Sequence, residues 1–170
     1  MEKEKIKYQK ITTCLWFNDN AEEAVTFYKS IFKNSKVGKI TYYGKNAPLP
    51  EGTVLTIAFQ LEGQDFLVLN GGPAFTFSEA ISFIINCKNQ QEIDEFWAKL
   101  SDGGQIQQCG WLKDRFGVSW QIVPSELTEM MQSNDSERSN RVMQALLQMV
   151  KIDIETLKKA YSVQKINTKK

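Results

Sequence analysis

The sequence predicts an α+β fold: two β-α-β-β-β modules in succession, with mixed sheets and flanking helices, followed by a C-terminal helical extension. Three observations carry this reading. Short apolar runs with period two alternate with stretches of helical spacing. Landmarks of the first module return 69 positions later, the mark of an internal duplication. Beyond Ser125 the spacing is helical throughout. The organisation that follows is an N-terminal tail over 1–10, a domain over 11–124 with modules at about 11–70 and 80–124, and an extension over 125–170.

The first strand is expected from Ile11 to Phe17, with Leu15 and Phe17 on one face and Thr12, Cys14 and Trp16 on the other. A helix follows from about Ala21 to Phe32. Ala21, Ala24, Val25, Tyr28, Ile31 and Phe32 form its apolar stripe, and Asn20 with Glu23 supplies a cap pair. Val37–Tyr43 is the second strand. After a loop through Pro48 and Pro50, Thr53–Leu61 and Gln64–Asn70 form a hairpin about Glu62-Gly63.

The second module restarts after Gly71-Gly72-Pro73. Ile81–Asn86 is its first strand, and Asn89 with Glu92 repeats the cap. Ile93, Phe96, Trp97 and Leu100 mark a helix that Gly103-Gly104 ends. Shifting the first helix by 69 positions sets Asn20 on Asn89, Glu23 on Glu92 and Phe27-Tyr28 on Phe96-Trp97. Strands are expected at Gln105–Cys109, Trp111–Lys113 and Val118–Val123, with Trp120 and Phe83 on the helix-facing side. In the extension, Val142, Ala145, Leu146, Met149 and Val150 form one stripe, and a short helix runs from about Asp153 to Tyr161. This stripe serves either packing on the domain itself or a dimer contact.

Composition narrows the function classes. Hydrophobic residues make up 42% and charged residues 24%, the balance of an ordinary globular protein. Lys+Arg 21 against Asp+Glu 20 leaves a net charge of +1, so no global field draws nucleic acid or anionic lipid. Lys169-Lys170 reads as a solvated terminus, or else a local basic patch. Cys14, Cys87 and Cys109 are odd in number and form no C-x-x-C pair, which points to a reducing cytoplasm rather than a disulfide framework. No signal peptide and no membrane span are expected, so the location expected is cytoplasmic.

Six segments stand together in one order: Leu15-Trp16-Phe17, Asn20 to Ala24 with Phe27-Tyr28, Leu69 to Pro73, Glu79 to Phe83, Trp111 to Pro124, and Met149 to Leu157. In that order they are similar to the vicinal oxygen chelate superfamily, which includes glyoxalase I, extradiol dioxygenases and bleomycin-resistance proteins. They resemble more narrowly its PhnB-like group, also labelled 3-demethylubiquinone-9 3-methyltransferase-like, with Met149 to Leu157 matching that group's C-terminal extension. The resemblance implies that the paired modules curl into a cup lined by one face of each strand, and that the protein forms a homodimer.

The resemblance also implies where metal ligands would stand: Thr12 or Thr13 on the first strand, near Val68 on the fourth, Ser82 on the fifth and Gln121 on the eighth. Metal-binding members place His, Gln or Glu at these positions, and this chain has no histidine at all. Hydroxyl, amide and aliphatic groups hold divalent transition metals poorly, so no metal and no other cofactor is expected. A carboxylate-only site from Asp65, Glu79 and Asp114 is the alternative. No glycine-rich strand-turn-helix supports S-adenosylmethionine or dinucleotide binding, since Gly71-Gly72 and Gly103-Gly104 read as turns.

Thr12, Cys14 and Trp16 are expected to face the cup from the first strand, and Ser82, Ile84 and Asn86 from the fifth. Ser119, Gln121 and Val123 face it from the eighth, with Asn70 at a strand end and Trp111 at the rim. These side chains suit either a small organic ligand or a filled interior. Cys14 is a nucleophile with no histidine to activate it, or an inert cysteine. Lys113 and Asp114 are an acid and base at the rim, or an ion pair beside a turn. Phe75 and Phe77 are a lid or a plug. The function expected is a metal-free small-molecule-binding protein. The alternatives are an enzyme (a lyase, an isomerase or a 3-demethylubiquinone methyltransferase-like transferase) and a dimeric module with a vestigial pocket.

Overall fold

A computed structural model describes residues 9–162. The first eight residues of the expected tail and the Lys169-Lys170 terminus lie outside the described residues. The chain divides into two compact units, Met1–Phe77 and Ser78–Lys170.

In the first unit the order is β1 (Thr13–Phe17), α1 (Ala21–Ile31), β2 (Ser35–Tyr42), β3 (Val54–Leu61) and β4 (Gln64–Asn70). The sheet order is β1-β4-β3-β2, with β1 and β4 parallel and the other pairs antiparallel. Glu62 and Gly63 both have positive φ, 46° and 86°, the geometry of a two-residue hairpin turn that pairs Leu61 with Gln64. That turn fixes the register and so decides which side chains share a face. Ile57, Phe59, Phe66 and Val68 are buried on the side covered by α1, with Leu15 and Phe17. Tyr28 of α1 lies flat over Phe59 at 6.4 Å, and Phe59 over Phe66 at 5.2 Å.

The second unit repeats the topology. Its elements are β5 (Phe83–Cys87), α2 (Gln90–Ser101), β6 (Gln105–Ile106), β7 (Trp111–Lys113) and β8 (Ser119–Pro124). The sheet order is β5-β8-β7-β6, and the outer pair β5 and β8 is again parallel. Leu112, Trp120 and Ile122 are buried with Ile93 and Leu100 of α2. Phe83 packs against Trp120 at 5.3 Å, on the helix side as expected. Two strands are shorter than expected: β5 begins at Phe83, leaving Ile81 73% exposed, and β6 is only two residues long. No helix among the described residues is long and apolar enough to cross a membrane.

Three helices follow: α3 (Leu127–Met131), α4 (Ser136–Leu147) and α5 (Ile154–Ser162). The expected apolar stripe is interrupted, because α4 ends at Leu147 and Met149 and Val150 lie beyond it. Their carbonyls instead accept hydrogen bonds from the backbone N–H groups of Cys109 and Gly110, both at 2.8 Å. The Gln90 side chain donates to Ile152 O and accepts from Ile154 N, at 3.0 and 2.9 Å. Ile152, Ile154 and Leu157 are buried. The extension is therefore tied into the second unit by backbone pairing and burial.

The two helix starts differ although their sequences match. The Asn89 side chain accepts from Glu92 N at 2.9 Å, and Glu92 accepts from Lys88 N at 2.7 Å. Asn20 makes no side-chain cap bond. The acceptor at the start of α1 is Asn70 Oδ1, which takes the Ala21 N–H at 2.9 Å. Asn89→Ala should therefore cost about 1 kcal/mol in a urea titration, and Asn20→Ala clearly less. Equal losses would contradict this assignment of the caps.

Candidate functional site

On the first sheet, the face turned away from α1 carries Cys14 and Trp16 of β1, Leu67 and Leu69 of β4, and Thr56 and Ala58 of β3. Thr12 is exposed just before β1. The hydroxyls of Thr41 and Thr56 meet at 2.6 Å, and Gln60 donates to Asp65 at 2.8 Å. Trp16 donates its indole N–H to Gly72 O at 2.8 Å. Its ring lies where a Cβ on Gly71 would have to go, so glycine is required there by contact. Phe75 meets Trp16 edge-on at 5.0 Å, and Phe77 meets Phe17 at 5.2 Å.

Two expectations for this unit need correction. The fourth-strand ligand position is expected near Val68, and Val68 itself is 0% exposed on the α1 side; the open face beside it carries Leu67 and Leu69, neither of them a ligand. Asn70 ends β4 as expected, but its side chain is not presented to a ligand. It is fully buried, with its amide shared between Ala21 N and Val54 O, so its side-chain oxygen and nitrogen are both engaged in the fold.

On the second sheet, the face turned away from α2 carries Ile84, Asn86, Trp111, Lys113, Ser119 and Gln121, and Ser82 lies just before β5. Gln121 pairs across with Trp111 and Ile84, and its amide donates to Ser82 Oγ at 2.9 Å. Ile84 is 56% exposed and Asn86 is exposed. Ser119 is buried, and its hydroxyl has no hydrogen-bond partner among the described residues. Removing an unsatisfied buried hydroxyl relieves a desolvation cost, so Ser119→Ala should keep or raise stability, by up to about 1 kcal/mol. A urea titration showing a loss above that size would mean that the hydroxyl has a partner.

Lys113 and Asp114 do not pair with each other. Lys113 Nζ lies 2.8 Å from Glu79 Oε1, which also accepts from Gln107 at 3.0 Å. The Lys113 bond, then Glu79's own backbone and the Gln107 bond, hold the Glu79 carboxyl below the usual range. Asp114 is buried rather than at a rim. It accepts from Phe116 N, Val118 N and the Trp120 indole. Glu79 and Gln107 are the partners that spacing alone misses, because no period links positions 79, 107 and 113.

Cys14 and Cys87 are protonated thiols at neutral pH. Cys14 is exposed as a residue, yet burial about its sulfur raises its pKa. Cys87 is buried, and desolvation followed by the charge of Glu92 pushes it up to about 12. Because a raised pKa shrinks the thiolate fraction, iodoacetamide should alkylate Cys14 more slowly than free cysteine at pH 8, the gap closing as pH rises. Cys87 should stay unmodified in the folded chain. Mass-spectrometric site mapping checks both, and a Cys14 rate above that of free cysteine would refute the first.

The side chains do not fit a metal. Thr12, Thr13, Ser82 and Gln121 offer neutral oxygen or amide groups, Val68 faces α1, and the Gln121 amide is bonded to Ser82. Among the described residues no three His, Cys, Asp or Glu side chains group so as to hold a metal ion. The double glycines do not fit a phosphate-bearing or sulfonium cofactor cradle. Gly71 N and Gly72 N donate to Phe17 O and Asn18 O, and Gly104 N to Ser101 O.

Two β-α-β-β-β modules, each with its first and last strands parallel, define a protein of the glyoxalase-like, vicinal oxygen chelate fold. Within that class, the family described as 3-demethylubiquinone-9 3-methyltransferase matches residues 9–123, and the chain belongs to it. A Bacillus cereus PhnB protein, described as a candidate 3-demethylubiquinone-9 3-methyltransferase, is 40% identical. The match covers 68% of this chain and 99% of that one, with a TM-score of 0.62. A Pseudomonas aeruginosa protein is 20% identical over 69% of this chain and 98% of its own, TM-score 0.56. The genomically encoded fosfomycin resistance protein FosX of Listeria monocytogenes is 13% identical over 76% and 100%, TM-score 0.55. These last two speak to the fold alone. No protein of curated function matches the chain.

Proposed function

We propose that the chain is a metal-free small-molecule-binding protein, taking a neutral or aromatic organic ligand on the open sheet face of a single unit, either the one turned away from α1 or the one turned away from α2. The observation that carries this reading is the character of those faces: Trp16, Leu67 and Leu69 on one, Trp111, Ile84 and Gln121 on the other, with Ser82 bonded to Gln121. Apolar walls with a few hydrogen-bonding groups suit such a ligand, and an orphan hydroxyl at Ser119 offers a further bond. An enzymatic reading needs a reactive group free to act. Of its candidates, Lys113 is paired with Glu79, Asp114 is saturated by three donors, and Cys14 is a thiol with a raised pKa. Location in the cytoplasm and association as a homodimer belong to the same reading.

Equilibrium binding across aromatic, quinone and glycopeptide compounds, followed by tryptophan fluorescence, tests the reading. At least one class should bind, and a chelator should leave its affinity unchanged. Silence across all three classes, or stoichiometric zinc, nickel or iron in tag-free protein, would overturn it.

A further inference from the structure

We propose that the Trp16 indole is a stacking platform for a planar aromatic ligand, and that the Phe75 ring is its resident occupant, displaced when the ligand binds. The inference rests on the small-molecule reading above and names its ligand class; the platform lies wholly within the first unit.

The indole is held by backbone. Its N–H is bonded to Gly72 O at 2.8 Å, and its benzo edge fills the space beside Gly71. Gly71 and Gly72 are in turn anchored to Phe17 O and Asn18 O, at 2.9 and 3.0 Å. A ring fixed in this way loses little entropy on binding. Phe75 is its opposite: it touches the indole edge-on, with an interplanar angle of 82°, and is 66% exposed. It therefore gains little of the burial that makes an aromatic side chain worth placing.

The segment that carries Phe75 is tied at both ends. Gly72 is fixed by its two hydrogen bonds, and Phe77 is half-buried with its ring against Phe17. Residues 73–76 between these anchors are exposed. The Phe75 ring can leave the indole while both anchors stay in place. Leu69, paired with Trp16 across the sheet, and Cys14, two residues back on the same face, make the surroundings apolar and uncharged. An uncharged planar ring lying flat on the indole would bury more area than Phe75 does.

Calorimetric titration of the full chain with 1-naphthol, and with decahydro-1-naphthol as its saturated counterpart, tests the proposal. Naphthol should bind more tightly than the saturated alcohol. Phe75→Ala should tighten naphthol by about 2- to 10-fold, the range of a lost aromatic pair. The indole N–H resonance of Trp16 should shift on naphthol addition while that of buried Trp97 does not. Unchanged or weaker naphthol binding by Phe75→Ala overturns the proposal, as does equal or tighter binding of the saturated alcohol. Those results leave the small-molecule reading standing. So does binding of some other compound class when naphthol fails, which also overturns the platform. Silence from both alcohols and from the wider panel removes both readings together.

Discussion

Asp114→Ala is expected to lower stability by about 3–5 kcal/mol, the range for breaking a buried, charge-assisted hydrogen-bond network from one side. Asp114 is 3% exposed and sits where β7 turns into β8. One carboxylate oxygen takes the N–H groups of Phe116 and Val118, at 2.9 and 3.1 Å, and the other takes the Trp120 indole N–H at 2.8 Å. The side chain thus fixes the turn and also anchors a core tryptophan. Alanine removes the carboxylate acceptor from three donors at once, and Trp120, 3% exposed, cannot reach water without leaving the core. The loss falls short of three separate hydrogen bonds because Phe116 lies near the surface and its amide can be hydrated. Asp114→Asn keeps one oxygen acceptor but turns an amide donor toward a donor, so it should lose roughly half as much. Urea denaturation followed by tryptophan fluorescence measures both. A loss under about 1 kcal/mol for alanine would show that the carboxylate is not the organising group of this turn.

The fold was legible in the sequence because its local signals agree with its tertiary needs. The Glu62-Gly63 turn, the apolar runs of β3 and β4, and the apolar face of α1 all specify the same sheet. The return of Asn20, Glu23 and Phe27-Tyr28 at Asn89, Glu92 and Phe96-Trp97 specifies a second unit of the same topology. The site was legible only in part. Parity places Cys14 and Trp16 opposite Leu15 and Phe17 correctly, because β1 is short and unbroken. It does not say what a polar side chain is bonded to. Asp114 looks like a rim acid in sequence, yet its partners are two backbone amides and an indole brought to it by the turn. Lys113 looks paired with its neighbour, yet Asp114 lies past the end of β7 with its carboxylate turned in to the turn amides and the Trp120 indole, while Glu79 takes Lys113. The fourth-strand position near Val68 is of the same kind: a one-residue shift in β4 moves a side chain between the open face of Leu67 and Leu69 and the helix face of Val68.

Asn70→Ala is expected to cost about 2–4 kcal/mol, through two buried hydrogen bonds lost at once and a small cavity. Asn70 ends β4 with no exposure, and its amide joins three elements. Its oxygen takes the first helical N–H of α1 at Ala21, and its nitrogen donates to Val54 O at the start of β3, at 2.9 and 3.1 Å. Its carbonyl receives the Tyr43 hydroxyl at 2.6 Å, a bond the substitution leaves in place. A helix N-terminus presents amides that need an acceptor, and α1 lacks one from Asn20. The strand end supplies it across 49 positions of sequence, so helix and sheet are capped together and should fray together. Asn70→Asp keeps the acceptor for Ala21 but sets a carboxylate against Val54 O, so at neutral pH it should restore only part of the loss. Hydrogen exchange at the first turn of α1 separates this role from ligand contact. A structural clamp predicts faster exchange there in Asn70→Ala without ligand present. Unchanged exchange and unchanged stability, with affinity alone reduced, would return Asn70 to the ligand site.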